Sequence, residues 1–118
     1  MSYKDKKYQK KYQKKYQSEY RFSPPGQLSH YRADAKRRGI SFVLKLQDFE
    51  LCTTDYCTYC GDKLRYAGFD RVDSNYGYNL ENVVPACGFC NHMKYSWPRD
   101  FFLEHCQKIS EHTNRGKN

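Results

Sequence analysis

The sequence predicts a small α+β domain that needs a metal ion to complete its core, and three observations support this prediction. The chain has 118 residues, which is room for one small domain. Only 38% of those residues are apolar, so the core is thin. Four cysteines form two C-x-x-C pairs, Cys57/Cys60 and Cys87/Cys90, with 26 residues between the pairs. This spacing suits tetrahedral zinc, which can contribute on the order of 10 kcal/mol to the folding of small domains.

The elements before the first cysteine pair follow from local signals. The S-P-P-G stretch at 23–26 predicts a linker. Residues 27–38 predict a helix, because apolar side chains recur along one side and Gly39 follows, where a left-handed conformation is favoured. Residues 40–44 alternate and are rich in branched and aromatic side chains, so we expect a short strand there. A short helix over 46–51 would lead into the first cysteine pair.

The remaining elements lie between and after the cysteine pairs. Residues 66–73 and 82–86 predict two strands joined by a polar loop. Residues 88–95 predict a helix that starts at the second pair. Pro98 is well placed in the first turn of a last helix, which we expect to run to about Ile109.

Most of the net charge of +8 lies near the N-terminus. Residues 1–21 carry eight basic and two acidic side chains, whereas the other 97 residues carry 13 basic and 11 acidic ones. We therefore divide the chain into a basic arm rich in lysine, tyrosine and glutamine over 1–24, a domain over 25–109 with its core at 56–96, and a flexible tail over 110–118.

A basic arm of this kind suits a polyanion, because neutralising phosphates releases counterions. The alternative for the arm is a solvated low-complexity tail or an import-like basic patch. The side chains that we expect to contact nucleic acid are Lys7, Lys10, Lys11, Lys14, Lys15, Arg32, Lys36, Arg37, Arg38 and Lys94.

The composition also bears on location. The chain has no run of 18 apolar residues, and no apolar segment follows the lysine-rich start. We therefore expect neither a membrane partner nor secretion by a signal peptide. Metal thiolates are favoured in a reducing compartment. We expect an intracellular protein, in the cytoplasm of a prokaryote or of a virus-infected host, with the nucleus also open.

Strand, loop, strand and helix between two zinc knuckles is the layout of a ββα-metal site. Residues 56–109 resemble the HNH (His-Me finger) endonucleases, in the zinc-clamped type found among phage, homing and some restriction enzymes. The matching stretches are C-T-Y-C-G at 57–61, G-F-D-R-V-D at 68–73, G-Y-N-L-E-N-V-V-P at 77–85 and C-G-F-C-N-H-M-K at 87–94. The lead-in helix and strand over 31–49 are similar too. The resemblance implies a ββα-metal core with a four-cysteine zinc site, preceded by a helix and a short strand.

The resemblance also implies the catalytic residues. Asp70 and Asn91 would ligate a divalent ion, Mg²⁺ or Mn²⁺, and Asn82 would hold the loop between the strands. A carboxylate and an amide oxygen leave several positions on such a hard cation for phosphate oxygens and water. The implied activity is hydrolysis of DNA phosphodiester bonds, as a nick by a monomer or a double-strand cut by a homodimer.

Arg71 departs from the common pattern, because most relatives have histidine as the general base there. A guanidinium stays protonated and cannot act as a base, so a grip on the scissile phosphate suits this Arg-for-His subgroup better. The base would then be Tyr59, with a pKa lowered by Arg71 and a metal ion, or else His92 or Asp73. Two other functions stay open: a non-catalytic zinc module that binds nucleic acid, and a structure-selective nuclease that acts on junctions.

Overall fold

The computed structural model of the protein describes residues 19–115. The predicted arm lysines Lys7, Lys10, Lys11, Lys14 and Lys15 lie outside the described residues. The elements follow in the order α1 (Pro24–Arg38), α2 (Leu46–Cys52), β1 (Phe69–Arg71), β2 (Val83–Pro85), α3 (Gly88–Lys94) and α4 (Arg99–Asn114). Residues 19–22 are helical as well. The predicted small α+β fold with a helix leading into a β-β-α unit is confirmed.

Helix α1 begins earlier than the sequence predicts. The stretch at 23–26 is the start of this helix, and its prediction as a linker is wrong. Ser23 caps the helix by accepting a hydrogen bond from the Gly26 amide at 3.3 Å. Two prolines fill the first turn, where amide groups have no helical partner to bond. Gly39 ends the helix with φ 69°, the left-handed conformation expected of it.

The strand predicted over 40–44 is reduced to a single parallel bridge between Phe42 and Tyr78. The Val43 amide donates to the Tyr78 carbonyl at 2.9 Å, and the Tyr78 amide donates to the Ser41 carbonyl at 2.8 Å. The pairing stops there because the chain turns after Tyr78, where the Asn82 amide bonds to the Asn79 carbonyl at 3.0 Å.

Strands β1 and β2 form an antiparallel pair in which Asp70 lies opposite Val84. Each strand has three residues, fewer than predicted. Tyr31 of α1 closes the other edge of β1, because its hydroxyl accepts from the Phe69 amide at 3.1 Å and donates to the Phe69 carbonyl at 3.4 Å. Burial raises the pKa of Tyr31 to about 12, so the hydroxyl stays protonated.

The core lies between α1, α2 and the strand pair. Edge-to-face aromatic contacts join Tyr31, Phe49, Phe69 and Tyr78, with ring centroids 5.0 to 5.7 Å apart. Helix α4 contributes no buried side chain, and Ile109 is exposed.

Helix α4 also continues through Asn114, past the predicted end at Ile109. Residues 110–114 are therefore helical, and their prediction as part of a flexible tail is wrong. An intrahelical hydrogen bond from Gln107 to Glu111 at 2.9 Å supports these turns. Thr113 also bonds back to the Ile109 carbonyl at 2.9 Å.

Candidate functional site

The two cysteine pairs meet, as predicted. The Sγ atoms of Cys57, Cys60, Cys87 and Cys90 all lie within 4.8 Å of one another. Zinc–sulfur bonds of about 2.3 Å in a tetrahedron would place sulfurs about 3.8 Å apart. The Cys60 and Cys87 sulfurs are 3.9 Å apart. The four sulfurs therefore form a set that one tetrahedral ion such as zinc can bind.

Local backbone geometry shapes both halves of this cluster. The first pair sits on a turn in which the Gly61 amide donates to the Cys57 carbonyl at 2.9 Å, and Gly61 has φ +78°. In the second pair, Cys87 caps α3, since its sulfur accepts from the Cys90 amide at 3.3 Å. Burial opposes ionisation of Cys57, but backbone hydrogen bonds with Cys60, Cys87 and Tyr59 outweigh it and lower its pKa to about 6, whereas burial raises the pKa of Cys90 in the same cluster. The thiolate is the form that ligates a metal.

The cysteine cluster also fixes the neighbouring β-β-α unit. The Thr58 amide, inside the first pair, donates to the Pro85 carbonyl at the end of β2 at 2.9 Å. Cys87 starts α3 two residues later. One turn further along α3, the Asn91 side-chain amide donates to the Phe69 carbonyl of β1 at 3.2 Å. Strand β1 and helix α3 are therefore held side by side.

Asp70 lies on β1 and is only 4% exposed. Its Oδ2 accepts a hydrogen bond from the Tyr59 hydroxyl, and its Oδ1 accepts one from Lys94 Nζ at 3.3 Å. Lys94 Nζ also donates to the Arg71 carbonyl at 3.1 Å.

Lys94 is 0% exposed. The prediction that it contacts nucleic acid is therefore wrong, because its ammonium group is buried against β1. Sequence reasoning missed this pairing. The one signal for it was that Lys94 follows Cys90 by about one helical turn, on the same side of α3.

Tyr59 has a different environment from the one that a general base needs. Burial raises its pKa, and the hydrogen bond to Asp70 raises it further, whereas a base would need a lowered value. The ring of Phe102 packs edge-on against Tyr59 at 5.7 Å between centroids. In this arrangement Tyr59 is a hydrogen-bond donor that orients the Asp70 carboxylate.

Asn82 lies at the base of the loop between β1 and β2 and makes three hydrogen bonds across it. Its Oδ1 accepts from the Asp73 amide at 3.1 Å, and its Nδ2 donates to the carbonyls of Asp73 at 2.9 Å and Gly77 at 3.0 Å. The Asp73 carboxylate accepts from the Asn75 amide at 2.9 Å, so it caps the turn within the same loop.

Arg71 lies at the mouth of this loop. Its Nη1 donates to the carbonyls of Ser74 and Tyr76, both at 3.0 Å, and its guanidinium lies 5.1 Å from the ring centroid of Tyr78. Within residues 19–115, its Nη2 and Nε make no hydrogen bond. The side chain is therefore fixed in place, and its Nη2 and Nε groups remain available as hydrogen-bond donors.

An open groove of about 720 Å³ brings together part of the predicted catalytic set: Asp70, Arg71, Asn91 and His92 line it, together with Arg38 of α1. Tyr59 and Asn82 do not line this groove. Arg21 and His30 line the same groove, although no spacing or motif in the sequence pointed to them.

The other basic side chains predicted on α1 lie elsewhere. Arg32 lies over the Phe42 ring at 5.9 Å, and Arg37 pairs with Asp34. Lys36 is exposed outside the groove lining. Of the four basic residues predicted on α1, only Arg38 lines the groove.

The structure is similar to that of the rare-cutting HNH restriction endonuclease PacI, with a TM-score of 0.55 and 21% sequence identity, over 70% of this chain and 73% of that chain. The fold is HNH-like. Strands β1 and β2 and helix α3 form the β-β-α unit that the sequence predicts, and the four-cysteine cluster lies beside this unit.

In sequence, the chain is 36% identical over 84 residues to an uncharacterized protein of Acanthamoeba polyphaga mimivirus. The match takes in 70% of this chain but only 16% of the length of the mimivirus protein. No family model matches the chain. Within residues 19–115, no helix has the length and apolar character needed to cross a bilayer.

Proposed function

We propose that this protein is a metal-dependent HNH endonuclease that hydrolyses phosphodiester bonds in DNA. The observation that supports this most is the convergence of Asp70, Arg71 and Asn91 on one groove, beside a four-cysteine cluster, within an HNH-like fold. The structural neighbour PacI is a restriction endonuclease, which favours the same class of reaction. Arg71 in place of histidine would make this protein a member of the Arg-for-His subgroup.

The residues fit the two kinds of metal ion that such an enzyme uses. Zinc would bind the four cysteines. Mg²⁺ or Mn²⁺ would bind Asp70 and Asn91, because each Asp70 oxygen keeps a lone pair after its one hydrogen bond, and the Asn91 amide oxygen makes none within the described residues. When bound, the divalent ion stabilises negative charge on the phosphate and the leaving oxygen.

The protein's own side chains would supply the rest of the chemistry. Arg71 would hold the scissile phosphate through its remaining donors, and Tyr59 would orient Asp70. His92 is exposed and lines the groove, whereas the Asp73 carboxylate is turned into its own loop. We therefore propose His92 as the general base that takes a proton from the attacking water.

The charge distribution supports DNA as the substrate. Arg21 and Arg38 line the groove next to the catalytic residues, and the basic arm over 1–24 adds further positive charge. Phosphate contacts of this kind position a duplex without reading its sequence. Four thiolates suit a reducing compartment, so an intracellular location is part of the proposal, as is action by a monomer or a homodimer.

A plasmid-nicking assay tests this proposal. Zinc-loaded protein should nick supercoiled DNA when Mg²⁺ or Mn²⁺ is present, and Asp70→Asn should lower the rate by at least about a hundredfold because it removes the one negatively charged ligand of the ion. Asp100→Asn, on α4 outside the groove, is the matched control and should keep the wild-type rate. Zinc content and thermal unfolding of each variant would separate a lost ligand from a lost fold.

A second candidate is a zinc module that binds DNA without cutting it. The observation that favours it is that both Asp70 oxygens already have hydrogen-bond partners, one of them a lysine. The same assay separates the two functions. DNA binding by zinc-loaded protein with no metal-dependent nicking would establish the module and reject the enzyme.

A further inference from the structure

Lys94 is the largest charged side chain buried completely in the described part of the chain, and its position against Asp70 requires an explanation. Burying an ammonium group is costly unless a charged partner and hydrogen bonds compensate for lost hydration. Lys94 has both, since it bonds to the Asp70 carboxylate and to the Arg71 carbonyl. The carboxylate that would bind a divalent ion is therefore already neutralised by the protein.

The charged side chains that line the groove also leave it without a net negative charge. Its charged lining consists of Arg21, Arg38 and Arg71 on the positive side and Asp34 and Asp70 on the negative side. Asp34 is itself paired with Arg38 at 3.2 Å. With the Lys94 ammonium against Asp70, a divalent cation that enters the groove before nucleic acid meets no net negative charge.

A phosphodiester in the groove would change this balance, because each phosphate brings one negative charge. We infer that the divalent ion binds at Asp70 together with nucleic-acid phosphate and only weakly before it, and that Lys94 sets this order. The inference rests on the proposed function and adds to it the order of assembly. Lys94 acts here as a positioning residue, since it reaches the reacting groups through Asp70.

The first test uses the wild-type protein, loaded with zinc. Mn²⁺ binding to the free protein is measured by electron paramagnetic resonance, and binding of a fluorescent phosphorothioate DNA duplex is measured by anisotropy with and without Mn²⁺. We expect weak Mn²⁺ binding to the free protein and at least about tenfold tighter DNA binding with Mn²⁺. Because coupling is reciprocal, this factor also measures how much DNA tightens the ion. Tight Mn²⁺ binding without DNA, or DNA binding indifferent to Mn²⁺, would overturn the inference.

The second test changes Lys94 itself. Lys94→Gln keeps a hydrogen-bond donor but removes the charge, so Mn²⁺ binding to the free protein at pH 8 should tighten at least about tenfold and the coupling to DNA should fall. Lys108→Gln, exposed on α4, is the matched control and should change neither quantity. Unchanged Mn²⁺ affinity in folded, zinc-loaded Lys94→Gln would reject the role of Lys94.

The two proposals can fail separately. If Mn²⁺ binds tightly to the free protein and the plasmid is still nicked, the order of assembly is wrong and the enzyme stands. If no metal-dependent nicking occurs, the enzyme is rejected. In either case Asp70→Asn shows whether Asp70 is the Mn²⁺ ligand, because that variant should lose the effect of Mn²⁺ on DNA binding.

Discussion

At the scale of single residues, Arg71 anchors its own loop and, under the proposed function, would also hold a phosphate. One of its nitrogens fixes the loop after β1 through two carbonyls, and the planar guanidinium lies on Tyr78. Because Nη1 is held in this way, the orientation of the remaining donors, Nη2 and Nε, is fixed as well. A lysine ammonium is a point charge without the fixed fork, so it cannot hold the loop and a phosphate at once.

We therefore predict that Arg71→Lys lowers the rate of plasmid nicking by about a hundredfold, the size of effect seen when one fixed donor to a developing oxyanion is removed. Zinc content should be unchanged, because Arg71 does not touch the cysteines. Single-turnover nicking measures the rate, and Arg65→Lys, on an exposed residue outside the groove, is the control. Wild-type activity in Arg71→Lys would refute the phosphate grip.

At the scale of elements, a two-stranded sheet is marginal unless something covers its edges and faces. Tyr31 supplies part of that cover, because its hydroxyl takes the place of a third strand beside Phe69. Helix α1 thereby fixes the strand that carries Asp70.

Tyr31→Phe should lower the free energy of unfolding by about 1–3 kcal/mol, because the buried Phe69 amide loses its partner while the ring packing is kept. Urea unfolding followed by circular dichroism measures the change. Tyr78→Phe is the control, since Tyr78 belongs to the same aromatic cluster and its hydroxyl makes no hydrogen bond within residues 19–115. Equal effects of the two substitutions would mean that the hydroxyl of Tyr31 is not important.

Local patterns predict much of this fold but not the contacts that complete the site. The cysteine spacing and the matching stretches predict the β-β-α unit, and Gly39 marks the true end of α1. The partners of Lys94 and Tyr31 are 24 and 38 residues away along the chain, and no periodicity connects them. The start of α1 is mispredicted because a serine followed by two prolines can begin a helix as readily as break one.

At the scale of the whole molecule, the four-cysteine cluster joins two turns that are 26 residues apart along the chain. It connects the turn at 57–61 to the start of α3, next to the end of β2. The thin core described above has little stability to spare without this connection. A metal at the cluster therefore acts on the entire domain.

We predict that removing zinc with a strong chelator abolishes cooperative thermal unfolding and that adding zinc restores it. Calorimetry together with metal analysis checks this outcome. Cys57→Ser should behave like the chelated protein, whereas Cys106→Ser, whose thiol lies outside the cluster, should unfold like wild type. Cooperative unfolding of metal-free protein at the wild-type temperature would contradict the structural role.

Helix α4 has a practical consequence for experiments of this kind. Its first turn touches the site through Phe102, but the turns beyond it carry no buried side chain. Sixteen helical residues extend about 24 Å. Ser110 is exposed and does not line the groove, so a fluorophore introduced there would lie at a distance suited to energy transfer from a labelled duplex and would report docking.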